Sequence, residues 1–256
     1  MAPPFLAYYG VATSNASFLQ EAVNQCLLYR QILRANTSAS VRPPATHPVV
    51  ASGLWTHIRG PVSNDPGIWS TGNAWAAAGM MRVLATLVKA PSSLFDAGHR
   101  GTINITWKTQ ATANLVNAIR EILDASMRVP TDGGLLRNYL DDPTWFGETS
   151  GSALLASVAY RLATLSSTSS LLGGSKLSTS DYQKYIQWAE QIRKTLGRDG
   201  HITRGIATPA VNPLGWGDRQ KFTKGSPEGQ NFVILMYAAW RDCVKAQVKG
   251  CKAVSW

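Results

Sequence analysis

Trp69-Ser70-Thr71-Gly72-Asn73-Ala74-Trp75-Ala76-Ala77-Ala78-Gly79-Met80-Met81-Arg82-Val83-Leu84-Ala85-Thr86-Leu87 is the stretch whose reading decides the fold. A polar and aromatic cluster opens it, and the helical run that follows carries Arg82 as its one charge. Such a helix has no face suited to water, so most of its circumference should pack against other helices. Thr71, or Asn73 two residues on, is the expected N-cap, and the free N–H groups of the first turn favour oxygen-rich ligands. Chemistry is therefore expected at the start of the helix, not along its length.

The same design recurs twice. Glu148-Thr149-Ser150-Gly151-Ser152 leads into the apolar run from Ala153 to Leu165, and Gly225-Ser226-Pro227-Glu228-Gly229-Gln230 leads into Asn231 to Trp240. The starts lie about 75 residues apart, the mark of a repeated supersecondary unit with a long period.

One-sided helices fall between these runs. A helix is expected from Ser14 or Asn15 to about Arg34, a second over 106–127 with Ala111, Leu115, Ile119, Ile122 and Met127 along one stripe, and a third over 181–196. Pro3 to Gly10 reads as the tail of a buried helix stopped by its glycine. Connectors over 35–68, 132–148 and 197–224 precede the three apolar runs, and Trp55, Trp69, Trp75, Trp145 and Trp216 sit in or beside them. Asp141-Asp142 before Pro143 reads as a solvated turn. An inner ring of parallel helices inside an outer ring, linked as hairpins, accommodates this alternation. It brings the polar helix starts to one concave rim, where a ligand pocket is expected. Flat tryptophan faces there suit pyranose rings; the competing reading of each is a core plug.

At 256 residues and 45% hydrophobic, the chain can bury a large core, and it is read as a single domain over 1–256. The formal charge of +10 is scattered without blocks of like charge, which suits an acidic small-molecule or oligosaccharide partner and argues against nucleic acid. No stretch of about 20 apolar residues is present, so no membrane partner is expected. Met1-Ala2-Pro3-Pro4 does not read as a signal peptide. Of three cysteines, Cys243 and Cys251 are close enough in sequence to pair, but isolated buried thiols are the weightier reading. Sequons at Asn15-Ala16-Ser17, Asn36-Thr37-Ser38 and Asn104-Ile105-Thr106 would suit a secreted protein, although chance supplies such motifs readily.

Leu54-Trp55-Thr56-His57, Trp69 to Ala76, Glu148 to Ala153 and Gly225 to Gln230 together resemble the successive signatures of the unsaturated glucuronyl and rhamnogalacturonyl hydrolases, glycoside hydrolase families 88 and 105, especially fungal members. The resemblance runs from Pro3 to about Asp242. It implies an all-α, six-hairpin (α/α)6 barrel, of which about seven helices are present here, with 1–12 as the tail of a truncated inner helix and 246–256 as a C-terminal tail. It also implies cofactor-free and metal-free hydration of the C4=C5 bond of a terminal unsaturated uronic sugar, as in pectic oligosaccharides. In such a family one aspartate acts as acid and base, and it is expected ahead of Met1, so no catalytic residue is assigned and the chain alone is expected to be inactive. The alternatives are a sugar-binding remnant and a barrel recruited to a biosynthetic pathway.

Carried over by the resemblance, substrate contacts fall on His57, Thr71, Asn73, Trp75, Trp145, Glu148, Ser226, Glu228 and Gln230. Trp75 takes the stacking role, and Asn73 braces the helix start or bonds a sugar hydroxyl. Many members place an arginine where this chain has Thr71, so the resemblance supplies no arginine for the substrate carboxylate. Glu148 and Glu228 also read as capping carboxylates. Self-association through exposed inner-ring surface is expected.

Overall fold

The computed structural model describes residues 2–35, 52–96, 103–168, 170–198, 200–215 and 217–253. Among them, seven α-helices alternate between two layers. α1 (Ala2–Ala12), α3 (Ser70–Lys89), α5 (Thr149–Thr168) and α7 (Pro227–Lys245) form an inner arc in chain order, and α2 (Ala16–Leu33), α4 (Ile105–Ser126) and α6 (Thr179–Leu196) lie behind it.

Composition sorts the helices between the layers. In α3 only Arg82 and Lys89 are exposed, and in α5 all but a few residues are buried. The outer helices bury one stripe each: Leu19, Ala22, Val23 and Cys26 on α2, the predicted Ala111–Ile122 stripe on α4, and Tyr185, Ile186, Ala189 and Ile192 on α6. Their polar sides are tied to one another. Arg30 of α2 grips Glu121 of α4 through two hydrogen bonds of 2.8 and 2.6 Å, and the Tyr185 hydroxyl of α6 donates to Asp124 of α4 at 2.8 Å. Asn15 caps α2 and Asn104 caps α4 through side-chain oxygens, and Ser178 caps α6.

Inner helices approach most closely where a side chain is missing. A Cβ on Gly151 would lie 2.8 Å from Ser70 Cβ, and one on Gly229 would lie 2.9 Å from Thr149 Oγ1. The starts of α3, α5 and α7 thus stand side by side. Gly53 has φ +97° and faces the Glu121 carbonyl, so only glycine lets the first connector cross the last turns of α4.

Several expectations need correction. Gly10 does not stop α1, which continues to Ala12; the glycine sits inside the helix because Phe18 and Leu19 of α2 press against it. The cap of α3 is Trp69, with no side-chain bond, and Thr71 and Asn73 lie within the first turn, where their side chains are held by other connectors. Asp141 is buried and accepts the Ile68 N–H at 2.9 Å, so the expected solvated turn holds only for its neighbour, Asp142, which pairs with Arg219 at 3.1 Å. Cys243 and Cys251 form a disulfide, while Cys26 is a buried free thiol. α1 and α7 are not apolar rods packed all round: Phe5, Tyr8, Tyr9 and Ile234 are exposed, because each helix closes one end of the arc.

Candidate functional site

Every connector that precedes α3, α5 or α7 carries a two-residue antiparallel ribbon. These are β1 (Ile58–Arg59) with β2 (Asn64–Asp65), β3 (Thr131–Asp132) with β4 (Leu135–Leu136), and β5 (Ile202–Thr203) with β6 (Ile206–Ala207). Successive connectors are stitched by backbone bonds: Ser70 N–H donates to Asn138 O and Leu140 N–H to Ile68 O, both at 2.8 Å, and Thr149 N–H donates to Pro209 O at 3.0 Å. The rim is a continuous belt beneath the helix starts.

Asn73 organises the first part of this belt. Its carboxamide oxygen accepts the Trp55 N–H at 2.8 Å, and its nitrogen donates to the carbonyls of Trp55 and Trp69, each at 2.9 Å. One buried side chain therefore fixes both tryptophans against the first turn of α3. Trp69 is held further by its indole N–H, which donates to Asn138 Oδ1 at 3.0 Å. The Trp75 indole N–H donates to Glu228 Oε1 at 2.8 Å, linking α3 to α7, and its ring meets Phe232 edge-on.

Between the starts of α1 and α3 and the end of α2 lies a cleft of ≈ 310 Å³, lined by Trp55, His57, Trp69, Asn73 and Trp75 with Tyr29 at its side. His57 enters it from the segment before β1. Its ring lies 4.6 Å from that of Trp69, and its Nδ1 lies 3.0 Å from Asp65 Oδ2. That oxygen also accepts the Tyr139 hydroxyl at 2.5 Å, while the other Asp65 oxygen accepts Gly67 N–H at 3.0 Å. With Nδ1 engaged, Nε2 is the nitrogen left for the cleft. Burial pushes the Cys26 thiol up to about 12, so this cleft residue is a packing group and not a nucleophile.

Glu148 has a different place. Fully buried, it accepts Ser150 N–H at 2.6 Å and Gly151 N–H at 2.7 Å, and the hydroxyls of Ser70 and Thr71 also point to it. It caps α5 and ties α3 to it. Burial raises its pKa above the ordinary carboxylate range, against the pull of the Gly151 and Ser150 N–H groups.

Of the nine residues singled out in the sequence, His57, Asn73 and Trp75 line this cleft. Thr71 and Glu148 join α3 to α5, Glu228 holds Trp75, Ser226 caps α7 through Gly229 N–H at 3.3 Å, and Gln230 accepts Ala207 N–H at 3.0 Å. Trp145 is buried with Tyr139 and Phe146 and behaves as a plug beneath the rim. Trp216 lies outside the described residues. Sequence reasoning missed Asp65 and Tyr139: Asp65 stands in an Asn-Asp-Pro-Gly context that reads as a turn, and Tyr139 is distant in the chain.

A second, larger hollow of ≈ 880 Å³ follows the concave side of the inner arc, with Met81, Leu154 and Leu235 among its lining and Arg82, Lys89 and Arg161 beside Asp242. Among the described residues, no cluster of His, Cys, Asp and Glu could hold a metal ion, and no helix is long and apolar enough to cross a membrane.

Residues 1–164 match the family model for Glycosyl Hydrolase Family 88. Solved structures share the fold. A possible member of the GH105 family from Salmonella enterica superposes with a TM-score of 0.62 at 20% identity, covering 92% of this chain and 53% of that protein. A family 88 glycosyl hydrolase from Bacteroides vulgatus gives 0.57 at 16%, covering 96% and 60%. The unsaturated glucuronyl hydrolase of Bacillus sp. GL1, responsible for the degradation of glycosaminoglycan, gives 0.58 at 18%, covering 97% and 58%. The chain thus spans somewhat more than half the length of these proteins. No match was found among curated proteins.

Proposed function

Because the chain belongs to glycosyl hydrolase family 88, we propose that its aromatic cleft binds the terminal unsaturated uronic sugar of an acidic oligosaccharide, of the kind released from pectin. The observation that carries this reading is the convergence of Trp55, Trp69, Trp75 and His57 on one cleft at the start of α3. Flat indole faces supply stacking area for a pyranose, and His57 Nε2 supplies a polar contact fixed in direction. The chemistry implied is hydration: a carboxylic acid protonates C4 of the C4=C5 bond, water adds at C5 while giving its proton to the same carboxylate, and the resulting hemiketal opens to release the neighbouring sugar.

Among the described residues that line the cleft there is no aspartate or glutamate. Asp65 lies behind His57 and Glu228 is bonded to Trp75. That observation favours a second reading for the chain by itself, a sugar-binding unit that lacks the acid/base and does not turn substrate over. Tryptophan fluorescence, titrated with an unsaturated uronyl disaccharide and with its saturated counterpart, tests binding. Following the ultraviolet absorbance of the conjugated double bond tests turnover. Quenching that saturates with the unsaturated sugar, without loss of absorbance, supports both statements; absence of quenching refutes the first, and bleaching refutes the second.

Self-association through the concave side of the inner arc belongs to the same proposal. Apolar residues there favour pairing, while Arg82, Lys89 and Arg161 oppose it at low salt. Sedimentation should therefore show association that strengthens as salt is added.

A further inference from the structure

Two sequons fall at structurally equivalent places, which composition alone does not require. Asn15 precedes α2 and Asn104 precedes α4, both exposed, as are Ser17 and Thr106 of the same motifs. In each, Oδ1 is the cap acceptor, taking Ser17 N–H at 3.0 Å or Trp107 N–H at 2.9 Å. Among the described residues, the amide nitrogen Nδ2 has no hydrogen-bond partner in either case. Capping therefore engages the oxygen of an exposed side chain and does not engage the nitrogen, the atom that a glycan modifies.

Both positions also lie away from the cleft. The starts of α1 and α3 line it, together with Leu33 at the end of α2. Arg128, just after α4, reaches the Ser52 carbonyl in the first connector. Asn15 and Asn104 stand at the opposite ends of these outer helices, 18 and 22 residues long, and so about 25–35 Å from the rim at the helical rise per residue. A bulky sugar there leaves the cleft open. The Cys243–Cys251 disulfide is an independent sign of an oxidising compartment, where N-glycosylation also takes place.

We propose that Asn15 and Asn104 are N-glycosylation sites of a secreted protein. The donor is an oligosaccharide linked to a polyprenyl diphosphate. Nδ2 forms a bond to the anomeric carbon as the bond from that carbon to the diphosphate oxygen breaks; the nitrogen loses one proton, the polyprenyl diphosphate leaves with the electron pair, and no oxidation state changes. The motif is read on the emerging chain, and the fold retains both products because the cap oxygen stays available.

The test is expression of the full chain behind a cleavable leader in a eukaryotic secretory host. Peptide-N-glycosidase treatment in heavy-oxygen water then converts each occupied asparagine to a labelled aspartate for mass spectrometry. Labelling at both 15 and 104 is expected, and Ser17→Ala and Thr106→Ala should each remove one glycan-dependent step in gel mobility while leaving the melting temperature unchanged, since the cap asparagine remains. Unlabelled asparagine at either position in the secreted wild-type chain overturns the proposal, as does a glycan that persists when its own sequon is broken.

Discussion

His57 Nδ1 lies 3.0 Å from Asp65 Oδ2, the oxygen that also takes the Tyr139 hydroxyl. A carboxylate oxygen accepts, so Nδ1 is the ring nitrogen that donates to Asp65 and Nε2 is the one turned to the cleft. Asp65 is thus a positioning residue for His57. Asp65→Asn should weaken binding of an unsaturated uronyl disaccharide about tenfold, or ~1.4 kcal/mol, and Tyr139→Phe should do so less. Nitrogen-15 spectra of the imidazole provide a readout that lost packing alone would not move: the Nδ1–H tautomer should dominate in the wild type and lose its dominance in Asp65→Asn. An unchanged tautomer and affinity would remove Asp65 from the site.

The contact between Gly151 and Ser70 makes a prediction about the fold. Gly151→Ala drives a methyl into Ser70 where α3 meets α5, and overpacking of this kind costs about 1–3 kcal/mol. Gly79, also on α3, is a matched control, because its added Cβ would meet only Pro4 Cγ at 4.0 Å. Gly79→Ala should stabilise by about 0.5–1 kcal/mol, the usual gain of alanine over glycine inside a helix. Thermal unfolding of the two variants should therefore move in opposite directions.

These two sites show what could be read from the chain and what could not. The apolar runs up to Leu87 in α3 and Leu165 in α5 declare their burial locally, since a run with a single charge has no solvated face. Pairing of α2, α4 and α6 behind them follows from one-sided stripes. Rim contacts, by contrast, join residues distant in sequence: Ser70 with Glu148, Trp75 with Glu228, His57 with Tyr139. Nothing near Asp141 announces that Ile68 N–H will bury it, and a local Asp-Pro rule gives the wrong environment. The same holds for Asn73, whose position suggested a cap until the backbone of Trp55 claimed its side chain.

Glu148 gives the chain a pH dependence of definite sign. Its folded-state pKa is raised, so the folded chain holds the proton more tightly than the unfolded one. This contribution is fully present below the ordinary carboxylate value and is lost as the pH climbs through the raised folded value. Glu148→Gln cannot titrate; whatever its fixed offset, the wild type should lose stability relative to it as pH rises above the ordinary carboxylate value. Denaturant midpoints measured across that window check the slope, and parallel curves would show that the carboxylate stays ionised. Glu148→Ala, which strands the Ser150 and Gly151 N–H groups, should be destabilised by about 2–4 kcal/mol.

Thr71 is short, buried and committed to Glu148, so it cannot hold a sugar carboxylate as an arginine would. The guanidinium of Arg59 is the replacement suggested by the rim: exposed, on β1, two residues after His57, with its Nε braced on Thr56 of the cleft lining at 3.4 Å. An exposed cation contributes modestly because water and salt screen it. Arg59→Ala should therefore weaken binding of the free uronate by about threefold to tenfold, or ~0.7–1.4 kcal/mol, and leave binding of the corresponding methyl ester unchanged. Salt should weaken uronate binding to the wild type and have less effect on the variant. Equal losses for acid and ester would mean that Arg59 shapes the rim without reading charge, and the carboxylate contact would have to come from another residue.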